Sequence, residues 1–133
     1  MDNFLAQAGA LPYRRLEDRL QILLVTSRSS GDWIAPKGMI DPGSSARQTA
    51  LQEAYEEAGV RGELGPYLGT LHRLKLGYPV QVQIFALHVQ QVLDPWLEKA
   101  YRQRRWFEAQ QACQATRDDG LRDLMDALLR LTL

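Results

Sequence analysis

The order of elements in this sequence fits a helix–sheet–helix sandwich built on a mixed β-sheet, a fold of the α+β kind. Three observations carry that expectation. Leu20 to Val25 is a continuous apolar run with the length of a central strand. A helical stretch from about Ser45 to Ala58 is inserted between strand-like segments. A second helix near the end places Leu121, Leu124, Leu128 and Leu131 on one stripe. Pattern alone leaves α+β and α/β both open.

The elements follow in order. Gly9 to Tyr13 can enter a first strand, and Arg14 to Asp18 is polar and turn-like. Leu20 to Val25 is the central strand. The loop SRSSGD is punctuated by its glycine. Trp33 to Ala35 is a short extended piece halted by Pro36, because a residue before proline avoids the helical region. Met39 to Gly43 reads as a turn, and Ser44 or Ser45 suits the N-cap of the helix. Ala46, Ala50, Leu51, Ala54, Tyr55 and Ala58 form its apolar strip. Gly59 stops it, and Val60 restarts an extended chain.

Gly62, Gly65 and Gly69 interrupt the next strand and predict twist or bulges. A turn at Leu76 to Pro79 leads into a strand from Val80 that ends at Asp94 and Pro95. Trp106 and Phe107 give a brief strand. Ala109 to Ala115 reads as a short helix and Leu121 to Leu131 as the last one, with Asp118 and Asp119 at its start, where the helix dipole favours them.

The acidic end of the first helix stands out chemically. Glu53, Glu56 and Glu57 lie three and four residues apart, so they are neighbours on one face and repel. No lysine or arginine lies between Gln48 and Val60 to relieve them. They also occupy the last turns, the unfavourable end of the dipole for negative charge. Such a triad calls for a cation. Clustered carboxylate oxygens suit Mg²⁺ or Mn²⁺, and Mg²⁺ commonly arrives bound partly through substrate phosphates.

The stretch GMIDPGSSARQTALQEAYEEAGV, Gly38 to Val60, resembles the signature of the Nudix hydrolases. That pattern is Gly, five residues, Glu, seven residues, then Arg-Glu-apolar-any-Glu-Glu-any-Gly-apolar. Gly38, Glu53, Ala54, Glu56, Glu57, Gly59 and Val60 fall on it in register. Ser44 stands where the family has its first glutamate, and Gln52 where it has arginine. The resemblance runs from about Gly9 to the last helix, and implies the Nudix α/β/α sandwich over a single domain, 1–133. The flanks WIAPKG and RQRRWF are similar to the diphosphoinositol polyphosphate and dinucleoside polyphosphate branch.

The resemblance implies metal-dependent hydrolysis of a phosphoanhydride, with Glu53, Glu56 and Glu57 as ligands and one of them doubling as base. Gly38, Gln52 and Gly59 are the motif's structural positions. Arginine and glutamate are both replaced, so neither is left as an unpaired charge, and the fold is spared. Gln52 can still donate to Glu53 or Glu56. Arg14, Arg28, Lys37, Arg104 and Arg105 are the candidate contacts to an anionic substrate.

Composition narrows the partners. The 133 residues suffice for one domain with a sizeable core. Sixteen basic residues balance sixteen acidic ones, so no overall field draws nucleic acid or membrane. The expected partner is a small anionic diphosphate or polyphosphate, and the chain is expected as monomer or homodimer. Cys113 is the only cysteine, which excludes an intrachain disulfide, and it is expected to be buried and inert. No signal peptide or spanning segment is legible, so a cytoplasmic location is the expectation. Two other classes stay open. A binding or regulatory domain would keep the pocket without turnover, and an RNA 5′-end pyrophosphohydrolase would want a broad basic groove.

Overall fold

The computed structural model describes residues 3–132; Met1, Asp2 and Leu133, the ends of the expected domain, lie outside the described residues. Seven strands form one mixed sheet, ordered β3-β2-β1-β6-β5, with β4 added to β1 and β7 to β2. They are β1 (Leu5–Leu16), β2 (Arg19–Thr26), β3 (Trp33–Ile34), β4 (Lys37–Met39), β5 (Val60–Lys75), β6 (Tyr78–Val92) and β7 (Arg104–Glu108). The helices are α1 (Ala46–Glu53), continued by a π-helical turn (Ala54–Ala58), α2 (Ala109–Ala115) and α3 (Asp119–Leu131). β1 runs parallel to β6, and the other pairings are antiparallel. The helix–sheet–helix sandwich expected from the element order is the fold observed, and its mostly antiparallel mixed sheet makes it α+β.

Strand alternation divides the core into two layers. On one face Ala10, Leu23, Val25, Phe85 and Leu87 pack against Ala50, Ala54 and Ala58 of the acidic helix. On the other, Leu11, Ile22, Leu24, Val82 and Ile84 pack against Leu121, Leu124, Met125 and Leu128 of α3. The site arises from a fork in the sheet. β1 pairs with β4 through Gln7–Gly9 but with β2 only through Tyr13–Leu16. The fork brings the Lys37–Gly38 backbone under the acidic helix.

Several local expectations are corrected. β1 begins at Leu5 and runs through Arg14 and Arg15 to Leu16, because cross-strand partners on β2 hold this polar segment extended. Met39 belongs to β4, a strand too short to show alternation in sequence. Leu51 is 40% exposed: the buried positions recur every four residues at Ala50, Ala54 and Ala58, which turns Leu51 outward. Tyr55 sits beside it, under the Arg61 guanidinium. Leu131 is exposed beyond the packed stripe of α3. Cys113 is half-buried, and burial pushes its thiol pKa up. The bulges expected around Gly62 to Gly69 are present as register shifts against β6.

Candidate active site

Ser45 caps α1 and Gln48 reaches back to the cap, a reciprocal pair that satisfies two N-terminal donors. At the other end the last carbonyls of a helix have no partner within it. Here the β6–β7 connection supplies them. Glu98 N donates to Glu56 O at 3.1 Å, and Trp96 Nε1 donates to Glu57 O at 3.0 Å. Arg104 Nη1 donates to Ala58 O at 3.0 Å, and Leu93 N donates to Gly59 O at 2.8 Å. Arg104 lies over the Trp96 ring at 3.8 Å. Gly59 takes a left-handed φ of 66° against this strap, and a side chain there would meet Trp96 and Arg104.

The strap holds the acidic turn, and the turn buries one acid. Glu57 is 5% exposed. Its Oε1 accepts the Lys37 backbone N–H at 3.2 Å, and its Oε2 lies 3.4 Å from Arg102 Nη2. It shares a hydrogen bond with the Glu53 carboxyl. Burial pushes the Glu57 carboxyl up to about 8; the Arg102 charge opposes this, and the bond and charge of Glu53 add to it. Burial raises Glu53 as well, with the Glu57 hydrogen bond opposing and the charges of Glu56 and Glu98 adding. Glu53 packs directly on Gly38, where a Cβ would overlap its carboxyl. Glu56 turns away, accepting from Gln52 Nε2 at 2.8 Å.

Glu53 and Glu56 line one cleft, and a second reaches Glu57 through Arg102. One, of about 580 Å³, runs along Met39, Asp41, Ser44, Gln52, Glu53 and Glu56. The other, of about 470 Å³, is basic, lined by Thr26, Arg28, Lys99, Tyr101 and Arg102 among others. Arg28 lies over the Tyr101 ring at 4.4 Å.

Residues 5–128 match the profile of the NUDIX domain. The chain belongs to the Nudix family. It is 31% identical to Nudix hydrolase 4 of Arabidopsis thaliana over 92% of its length, and 30% identical to diphosphoinositol polyphosphate phosphohydrolase 2 of Mus musculus over 84%. The matches span 64% and 62% of those relatives, under two thirds of each. A binary complex of a C. elegans Ap4A hydrolase superposes with a TM-score of 0.83 at 25% identity, covering 96% of this chain and 97% of that one.

Within the Nudix motif the structure joins some of the expected residues and separates others. Of the three glutamates, Glu53 and Glu57 meet. Among the described residues no group of three acidic, histidine or cysteine side chains forms a ready metal cage. The pair still fits a hard divalent ion by its chemistry: Glu53 lines the cleft and the buried Glu57 lies against it, and one or two carboxylates plus substrate oxygens and water suffice for Mg²⁺. Gln52 donates to Glu56, one of the two acceptors expected for it.

The candidate substrate contacts disperse. Arg28 lines the basic cleft. Lys37 meets Glu57 through its backbone, while its ammonium reaches Gln7 Oε1 at 3.5 Å and burial pulls its pKa down. Arg14 bonds Gln21 and lies over Trp106, at the far end of β1 from β4. Arg104 caps the acidic turn. Arg105 alternates with it to the opposite face, exposed over Phe107. Trp96, Glu98 and Arg102 are the residues that the sequence did not single out for the site. The RQRR run signals Arg102 as one of several cations, and no sequence signal marks the other two.

Proposed function

We propose that this domain hydrolyses a phosphoanhydride bond in a nucleoside-diphosphate-linked or a nucleoside, dinucleoside or inositol polyphosphate. One observation carries the reading: a carboxyl pair, the half-buried Glu53 with the buried Glu57, is fixed from three sides, and Arg102 links it to a basic cleft. The Gly38 surface, the Lys37 amide and Arg102 each fix part of it. The two relatives named for polyphosphate substrates support the substrate class.

In this reading Glu53 and Glu57 hold Mg²⁺ or Mn²⁺, and Glu56 is the third candidate ligand or base. A bound divalent ion would neutralise phosphate oxygens and lower the pKa of water. Arg28 and Lys99 bind and orient the phosphate chain in the cleft. Lys37 adds positive charge behind β4.

The second reading is a weakened or regulatory Nudix domain, favoured by Ser44 and Gln52 and by the turn of Glu56 toward Gln52. A phosphate-release screen over dinucleoside polyphosphates, nucleoside triphosphates, sugar nucleotides and diphosphoinositol polyphosphates, with Mg²⁺ and Mn²⁺ in parallel, separates the two. Turnover that is lost in Glu57→Gln supports hydrolysis. Tight binding of the same compounds without turnover under either metal supports the regulatory reading.

A further inference from the structure

Arg102 is 11% exposed, and its three nitrogens go to three different elements. Nη2 faces Glu57 Oε2 on the acidic turn at 3.4 Å. Nε donates to Glu98 Oε1 on the strap at 2.9 Å. Nη1 donates to Thr26 O at the end of β2 at 3.0 Å. The motif's own arginine position, Gln52, spends its donor on Glu56 and leaves Glu57 with no cation from its helix. The two oxygens of Glu57 are therefore held from outside the helix, one by the β4 backbone and one by Arg102.

We propose that Arg102 is a positioning residue, which aims the Glu57 carboxylate by tying it to the strap and to β2, in place of the arginine that the Nudix motif lacks here. This rests on Glu57 being a working acid of the site. A rigid fork is needed rather than charge alone, because three acceptors in fixed directions match the guanidinium and not an ammonium. A side chain held this way keeps Glu57 where the Lys37 amide can bond it. Loosening the fork frees the carboxylate and leaves that amide without a partner.

Amide hydrogen exchange by NMR, on metal-free and substrate-free protein, tests the idea without any assay of turnover. In Arg102→Lys and Arg102→Gln, exchange of the Lys37 amide should rise about tenfold, the scale set by losing its one hydrogen bond to Glu57. The Leu93 amide, bonded to Gly59 O elsewhere on the strap, should keep its protection. Equal loosening of Leu93 and Lys37 would mean that Arg102 only docks the strap. An unchanged Lys37 amide in Arg102→Lys would mean that charge suffices. Both results overturn the proposal. In the wild type the Arg102 guanidinium should give separate, slowly rotating Nη signals. One averaged signal would overturn it without any variant having to fold. Failure of these tests leaves the hydrolysis screen untouched, and absence of turnover leaves the exchange result standing.

Discussion

The carboxyl of Glu53 rests on the Cα of Gly38, in the space that any larger residue would fill. The contact joins the first glycine of the motif to the first of its paired acids, and the obstacle is the far end of a flexible side chain. Gly38→Ala should therefore fold, losing roughly 1 kcal/mol, while Glu53 swings out of register. kcat/KM should drop at least about tenfold, since small misplacements at a reacting centre cost that much. Thermal melts and kinetics on one preparation check this; an active, unfolded-at-lower-temperature variant is the outcome that contradicts it.

Stability without metal should fall as the pH rises. Glu57 sits near 8 in the folded chain against an ordinary carboxylate value of 4.5, raised chiefly by burial. Between those values the folded state holds a proton that the unfolded state has released. The favourable contribution is complete below about 4.5 and disappears as the pH passes through about 8. Melting temperature in EDTA from pH 5 to 9 should slope downward, and Glu57→Gln should flatten the slope. A rising curve in the wild type speaks against a buried, proton-holding Glu57.

Divalent metal should reverse this weakness. Millimolar Mg²⁺ or Mn²⁺ should raise the melting temperature, more so at higher pH, because ligands bind metal only when deprotonated. The Glu53→Gln/Glu57→Gln double variant should show no shift. An equal shift in that variant places any bound ion elsewhere.

Gln52→Arg alone should not give a stronger enzyme. Gln52 already reaches Glu56, and a lone arginine there would engage carboxylates without the partner that the family has at Ser44. Adding Ser44→Glu supplies that anchor across the same cleft, which both residues line. A double-mutant cycle on kcat/KM should show coupling. If the arginine alone yields the whole gain, the two positions act independently.

Much of the fold was legible because its signals are local. Leu20 to Val25 reads as a strand from five apolar residues in six, and Ala109–Ala115 has the bounds that its sequence predicts. Ser45 and Asp118 announce helix starts through side chains that bond two or three residues ahead. What escaped was set by distant partners. β4 exists because Gln7–Gly9 offers it an edge. The acids were legible as a trio by spacing, yet burial of Glu57 and the Gln52 contact leave a pair. The cations were harder. Arg102, Arg104 and Arg105 look equivalent in sequence, and only the path of the strap sends one to Glu57, one to the helix end and one to the opposite face.

That strap also dictates when the centre can form. Trp96 reaches back 39 positions to the carbonyl of Glu57, and Arg104 reaches back 46 to that of Ala58. A nascent chain that has emerged only through β6 carries the whole motif from Gly38 to Val60 and still lacks its keystone. During synthesis, the partners that hold the acidic turn from the strap are translated tens of residues after the turn itself, so its full set of contacts is available only once Arg104 has been added.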